Sequence, residues 1–194
     1  MMEIFEKRPD LEEYRERIWD IIESTPALDW LLLSKRPGNA AKMAPAGGFP
    51  ENVWLGCTLE SQEYDGRIRQ LLRTPAAVHF LSCEPLLGPL DLSEYFKLLG
   101  DGLGWVIAGG ESGPSARPSD PAWFRSLRDQ CLAAGVAFHF KQWGRWSPLE
   151  SFAAKVMPSG ESVYLHPEKD KHYRILDGRE WDEFPEPIPL SEVH

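Results

Sequence analysis

Five apolar runs in this chain each break into polar residues that can do chemistry: Lys35 and Arg36, Thr58 and Glu60, Ser82 and Glu84, Glu111 and Ser112, Lys141 and Gln142. One run ending in a charge is uninformative. Five in succession bring both signs of charge to one place if the runs are parallel strands, because parallel strands deliver their carboxyl ends to a common rim. Glu84 and Lys141 are the catalytic candidates. Each lies just past a buried run and beside shape-fixing neighbours, Pro85 in one case and Trp143-Gly144 in the other. A carboxylate and an amine held in a partly dry cleft can exchange protons or bind a zwitterionic ligand. Lys35, Arg36, Glu60, Ser82, Gln142 and Trp143 are the matching substrate-binding candidates, with Trp143 as the edge or lid of the cavity.

The stretch Gly109-Gly110-Glu111-Ser112-Gly113 is a candidate cofactor loop through Gly109, Gly110, Glu111 and Ser112. Its glycines let backbone amides approach a carboxylate, phosphate or ribose, because no Cβ intervenes. It is not a dinucleotide fingerprint, since the spacing is not G-x-G-x-x-G and no helix follows directly. No metal site is expected. Cys57, Cys83 and Cys131 lie far apart and are odd in number, which suits small buried apolar residues rather than ligands or a disulfide framework. His79 and His139 fall within strand runs, where a satisfied histidine is the expectation, and His166, His172 and His194 lie in the tail. No hydrolase elbow or phosphate-binding loop of the Walker type occurs.

The elements that must position these residues can be read from period and punctuation. Between Gly104 and Gly144, the run Trp105 to Ala108, a helix and the run Val136 to Phe140 form a strand, crossover helix, strand unit. An amphipathic crossover of this length makes the two strands parallel. Ser119 or Asp120 can cap the helix, Pro121 suits its first position and Gly135 its left-handed stop. Its stripe is Trp123, Leu127 and Cys131 with Phe124 and Leu132, and Arg125, Arg128 and Asp129 read as a solvated face.

Upstream, Asp10 and Glu13 stand in capping-box positions for a helix that ends before Pro26. Strands follow at Leu28 to Leu33, Val53 to Cys57 and Ala77 to Leu81, with a helix from about Ser61 to Arg73 and a short one around Leu92 to Leu99. Residues 38 to 51 read as a long loop. In the tail, Ser162 to Leu165 and Tyr173 to Leu176 suggest a hairpin, and Asp177-Gly178 is a turn signal. The expected fold is α/β: about five parallel strands with crossover helices, forming a partial (βα) barrel or an open sheet over residues 1–146, with an irregular tail over 147–194 packed on it.

Composition bounds the function classes. The chain has 194 residues, 42% hydrophobic and 26% charged, as expected for a globular protein with a real core. No apolar run approaches membrane-spanning length and Met1-Met2-Glu3 does not begin a signal peptide, so a cytoplasmic protein with no membrane partner is expected. A net charge of -9 argues against indiscriminate binding to nucleic acid, and a local basic cleft stays open. The expected partner is a small or nucleotide-like ligand.

The segments LDWLLLSKRP, NVWLGCTLESQEY, LSCEPLLGPLDL, WVIAGGESGPSARP, FHFKQWG and LDGREWDEFP, in this order, resemble the bacteriophage gp-thirty-seven/gp-sixty-eight family over nearly the whole chain. That family is similar to radical S-adenosylmethionine enzymes, with a partial parallel barrel and an amino-terminal three-cysteine motif. The resemblance implies S-adenosylmethionine and a [4Fe–4S] cluster for full-length members, with the strand-end residues lining the cofactor and substrate cavity. The family's cysteine motif and first strand or two precede the helix near Asp10, and here the chain starts almost at that helix. The expectation is therefore the carboxyl-terminal majority of the family, without its own cluster: a truncated product, an internal start, or a half that needs a partner. Such a chain acts either as an enzyme-type domain or as a non-catalytic binding module. An exposed parallel edge at Leu28 to Leu33 should favour self-association.

Overall fold

The computed structural model describes residues 3–99, 102–149, 153–166 and 174–186. A 3-10 turn at Pro9–Leu11 leads into α1 (Glu12–Ser24), followed by β1 (Trp30–Ser34), a 3-10 turn at Pro37–Asn39, α2 (Ala40–Met43) and β2 (Val53–Thr58). Next come a 3-10 turn at Gln62–Tyr64, α3 (Gly66–Leu71), β3 (Val78–Cys83), α4 (Ser93–Leu99), β4 (Trp105–Gly109), α5 (Pro121–Ala134) and β5 (Ala137–Gln142). The tail holds β6 (Trp146–Ser147), β7 (Ala154–Val156), β8 (Ser162–Leu165), β9 (Ile175–Leu176) and β10 (Arg179–Glu180).

The five long strands form one sheet in the order β1-β2-β3-β4-β5, every pair parallel. Strand alternation divides its side chains between two faces. On the first, Leu32, Leu55, Cys57, Leu81, Cys83, Val106, Ala108, Phe138 and Phe140 pack against Trp19, Ile22, Ile68, Leu71, Phe124, Leu127 and Cys131 of the helices. On the second, Trp54, Val78, Phe80 and Trp105 form a separate buried cluster with Ile107 and Ala137, to which no described helix contributes. Each large side chain removed from water in these layers contributes about 1.5–3 kcal/mol.

Helix α5 follows its sequence signals. Asp120 is the cap and accepts from the Ala122 N–H at 3.0 Å, Pro121 follows, and Gly135 closes the helix with φ +70°. Ser119 instead donates to the Leu86 carbonyl at 2.6 Å. The buried stripe centres on Phe124, Leu127 and Cys131, while Trp123 is half-buried and Leu132 exposed. The charged side of α5 is not a solvated face throughout. Arg125 and Arg128 both pair with Asp177, at 2.8 and 2.5 Å, and Arg125 also reaches Glu161, so this side of the helix holds the tail.

Other expectations are corrected by the structure. Asp10 makes no capping bond and pairs with Arg8, because a proline-led 3-10 turn precedes α1 and replaces the capping box. Residues 38 to 51 are partly helical, and Ala40 and Phe49 within them are buried in the core. The suggested hairpin has different partners. Ser162–Leu165 sits between β6 and β7 in an antiparallel sheet, and Ile175–Leu176 pairs with β10 across Asp177-Gly178, where φ is +52° and +81°. Tyr173 lies outside the described residues. The tail thus carries two small sheets, and its first strand begins at Trp146.

One glycine lets the second face pack: an added Cβ at Gly56 would stand 2.3 Å from Cζ of Phe80, whose ring lies over it. Gly66, by contrast, has open space around it. Gly56→Ala should destabilise the fold by about 1–3 kcal/mol through overpacking, while Gly66→Ala should leave it unchanged or stabilise it by about 0.5–1 kcal/mol. Urea denaturation of the two variants beside the parent protein checks both signs.

Candidate functional site

The alternation that places Trp105 and Ile107 on the second face also places Gly109, His139 and Lys141 there, and Ser82, paired with Ile107, carries Glu84 to the same side. Glu84 and Lys141, named from the sequence, meet at the strand ends. Lys141 Nζ lies 3.2 Å from Glu84 Oε1 and 3.3 Å from Oε2, and Ser82 Oγ donates to Glu84 Oε2 at 3.3 Å. Glycine at 109 makes room for this carboxylate, since a Cβ there would come within 2.6 Å of Glu84 Oε1. The Glu84–Pro85 peptide is cis.

A cavity of about 610 Å³ opens beside the pair, lined by Glu84, Lys141, Trp105, Ile107, His139 and three tail residues, Arg174, Asp182 and Phe184. Its size suits a small organic ligand. The Phe184 ring stacks obliquely on Trp105 at 4.9 Å and meets His139 edge-on at 5.7 Å. Burial, with help from Arg174 and Lys141, pushes the His139 pKa below its ordinary value against the pull of Asp182, so the ring is neutral at pH 7. His139 Nδ1 is buried and has no hydrogen-bond partner among the described residues; the same holds for Trp54 Nε1. Unpaired buried polar atoms are rare and require an explanation. The Lys141 side chain is 57% exposed and that of its partner Glu84 18%, so the pair is weak and its charges are available to a ligand.

At the end of β2, Glu60 accepts from Lys35 and, at 2.8 Å, from Arg67, which also donates to the Thr58 carbonyl at 2.8 Å. Burial works against the charged form of Glu60, but the hydrogen bonds from Lys35, from backbone and from Arg67 outweigh it and hold its pKa below the ordinary value. Lys35, Glu60 and Ser82 therefore lie at the strand ends, although they do not line the cavity beside Glu84.

The remaining candidates are placed differently from the reading of the sequence. Arg36 turns away to Glu6 at 2.6 Å. Gln142 donates to Ser112 Oγ at 2.9 Å. Trp143 is neither edge nor lid. It is 3% exposed, packs against Phe124 and Phe140, and donates from Nε1 to the Ile175 carbonyl. The Gly109-Gly110 loop does not offer its second amide to a ligand, because Gly110 N–H is given to the Gln142 carbonyl at 2.9 Å. Gly110 is needed for backbone contact: a Cβ there would fall 1.8 Å from the Trp143 carbonyl oxygen. Glu111 binds the Arg117 guanidinium through both oxygens, at 2.8 and 2.7 Å, and accepts from the Arg117 N–H.

His139, Trp105, Arg174, Asp182 and Phe184 were missed as site residues. A period of two carries the signal for His139 and Trp105, since His139 lies two residues before Lys141 and Trp105 and Ile107 alternate toward Gly109. The tail residues come from a segment without period, and no sequence signal assigns them.

The residues fit no iron–sulfur cluster. Cys57, Cys83 and Cys131 are buried on separate elements, and burial raises all three thiols, Cys57 to about 12, whereas cluster ligands are thiolates. Among the described residues no group of His, Cys, Asp and Glu is arranged to hold a metal ion, and no helix is long and apolar enough to cross a membrane. Fold and site together define an α/β protein whose parallel sheet carries helices on one face and a mixed-charge cavity on the other. The family described as "Protein of unknown function (DUF5131)" matches residues 1–185, and the chain belongs to that family. No curated protein and no solved structure matches it.

The Arg117 guanidinium holds the Glu111 pKa down at about 2. A carboxylate whose folded pKa is depressed contributes stability above its unfolded value, near 4.3, and loses that contribution as pH falls toward the folded value. Carboxyl-carbon NMR of Glu111 should therefore titrate near pH 2, and Arg117→Ala should return the midpoint toward the ordinary value.

Proposed function

We propose that this protein binds a small, nucleotide-like ligand in the cavity beside Glu84 and Lys141, with Trp105 and Phe184 against its ring system and His139 Nδ1 against a polar ring atom. The carrying observation is that one aromatic-walled cavity is lined both by a carboxylate–ammonium pair and by His139, whose buried Nδ1 has no hydrogen-bond partner among the described residues. Lys141 attracts a phosphate or carboxylate, and Glu84 accepts from an amine or hydroxyl. The two also suit general acid–base chemistry, since they lie within hydrogen-bond reach of each other.

All-parallel sheets usually carry helices on both faces unless they form the wall of a barrel, whose inner face has none. That arrangement supports the wider reading of the chain as part of a radical S-adenosylmethionine-like barrel of the phage type, acting in the cytoplasm. The cysteine chemistry favours a second reading, a binding module that keeps the cavity without the redox chemistry. S-adenosylmethionine and the cluster belong to the resemblance, and no step is assigned to either.

Titration with adenosine 5′-monophosphate and with S-adenosylmethionine, followed by tryptophan fluorescence, tests the proposal. Saturable binding of at least one probe is expected, weakened tenfold or more in Lys141→Ala and in Glu84→Gln and unchanged in Glu6→Gln. Absence of saturable binding, or binding indifferent to both cavity variants, overturns it.

A further inference from the structure

The two edges of the main sheet are treated differently. The outer edge of β5 is taken by the tail: Phe140 N–H donates to the Trp181 carbonyl at 2.8 Å, Glu183 N–H donates to the Phe138 carbonyl, and His139 bridges to Asp182. No described strand pairs with the outer edge of β1. Trp30 turns its N–H inward, to the Asn52 carbonyl at 2.7 Å. By alternation Leu31 and Leu33 turn their N–H and C=O groups outward. The next outward amide, that of Lys35, is already satisfied by the Glu3 carboxylate at 2.9 Å, which marks the end of the open stretch. The side chains around it are equally unprovided for. Leu31 and Leu33 are 45% and 42% exposed, and Leu28 on the link to β1 is exposed as well.

We propose that β1 is a self-association strand, and that two copies of this chain pair antiparallel along it, about a two-fold axis at Leu32. The occupant is argued from the sequence of the strand itself. Asp29-Trp30-Leu31-Leu32-Leu33-Ser34-Lys35 is complementary to its own reverse. With Leu32 opposite Leu32, Leu31 of each copy faces Leu33 of the other, and these outward-turned residues exchange hydrogen bonds in both directions. Asp29 then faces Lys35 at both ends, an opposite-charge cross-strand pair on the same face as the leucines. Lys35 is 60% exposed and can take a second carboxylate besides Glu60.

Neighbouring registers lack this match. Centring on Leu31 puts Asp29 opposite Leu33, and centring on Leu33 puts Leu31 opposite Lys35 and Asp29 opposite Pro37. An isologous contact of this kind is closed by its two-fold axis. It would extend one sheet across both copies and bring the second copy's Asp29 to the strand-end cluster of Lys35 and Glu60.

Sedimentation velocity over a concentration series should show the mass rising from 22.0 kDa to twice that value. Without any mutation, hydrogen exchange should slow at the Leu31 and Leu33 amides by tenfold or more between dilute and concentrated protein. Leu33→Lys places its charge on an already exposed position and should weaken association at least a hundredfold, with the far-ultraviolet spectrum unchanged. Asp29→Lys and Lys35→Glu should each remain monomeric alone and form a dimer when mixed. Only the Leu32-centred register sets the introduced lysine of one variant against the introduced glutamate of the other, while the unaltered Lys35 of the first still faces the unaltered Asp29 of the second. A folded parent protein that stays monomeric throughout overturns the proposal. So does a dimer that survives Leu33→Lys, or a mixture of the two charge variants that fails to pair.

Discussion

The loops that follow β4 and β5 lie backbone against backbone, and much of the molecule depends on that contact. Gly110 and Gly144 leave no room for a Cβ at it, Gly144 adopts φ +79°, and Arg145 N–H donates to the Glu111 carbonyl at 2.9 Å. The contact fixes the end of β5 relative to the end of β4, and with it the distance between Lys141 and Glu84. It also turns the chain from β5 into the tail, which returns along α5 and the outer edge of β5 to supply one wall of the cavity. The glycines that look on paper like a ligand loop are there because two stretches of main chain touch. Their effect on the site is to position it.

The sheet works as a two-sided device. Helices bury one face so completely that its cysteine thiols are driven out of the range where they can act as thiolates. Among the described residues the other face is covered by its own aromatic rings and by tail residues such as Phe184, and the polar chemistry gathers where that cover ends. A carboxylate placed among Trp54, Phe80 and Trp105 would need a partner to be tolerated. At the strand ends, Glu84 has one in Lys141 and remains within reach of solvent.

The continuous apolar runs and the α5 stripe made the five strands and their common direction legible, because parallel strands buried on both faces leave an unbroken apolar signature. Glu84 and Lys141 were legible because each lies just past a buried run, and parallel strands deliver their carboxyl ends to one rim. What escaped did so through interactions distant in sequence. Arg125 and Arg128 look like solvated charges on their helix, and only the fold brings Asp177 to them, 52 and 49 residues away. Trp143 follows a strand end as a lid would, yet its ring finds a place between Phe124 and Phe140. The partners of Ser162–Leu165 were unreadable because short antiparallel strands in a proline-rich tail have too few residues to show a period.

The tail's hold on β5 has a further consequence for how this protein can assemble. A parallel sheet with two bare edges is a monomer that can add copies without limit, since each addition restores the edge it consumed. Here Trp181 to Glu183 cover the outer edge of β5, so the proposed pairing along β1 would use the one edge of the main sheet that no described strand or tail segment covers. The segment that completes the cavity is thus also a chain terminator. Under the proposed pairing, loosening it, for instance by cleavage before Trp181, would open a second edge through which copies could keep adding.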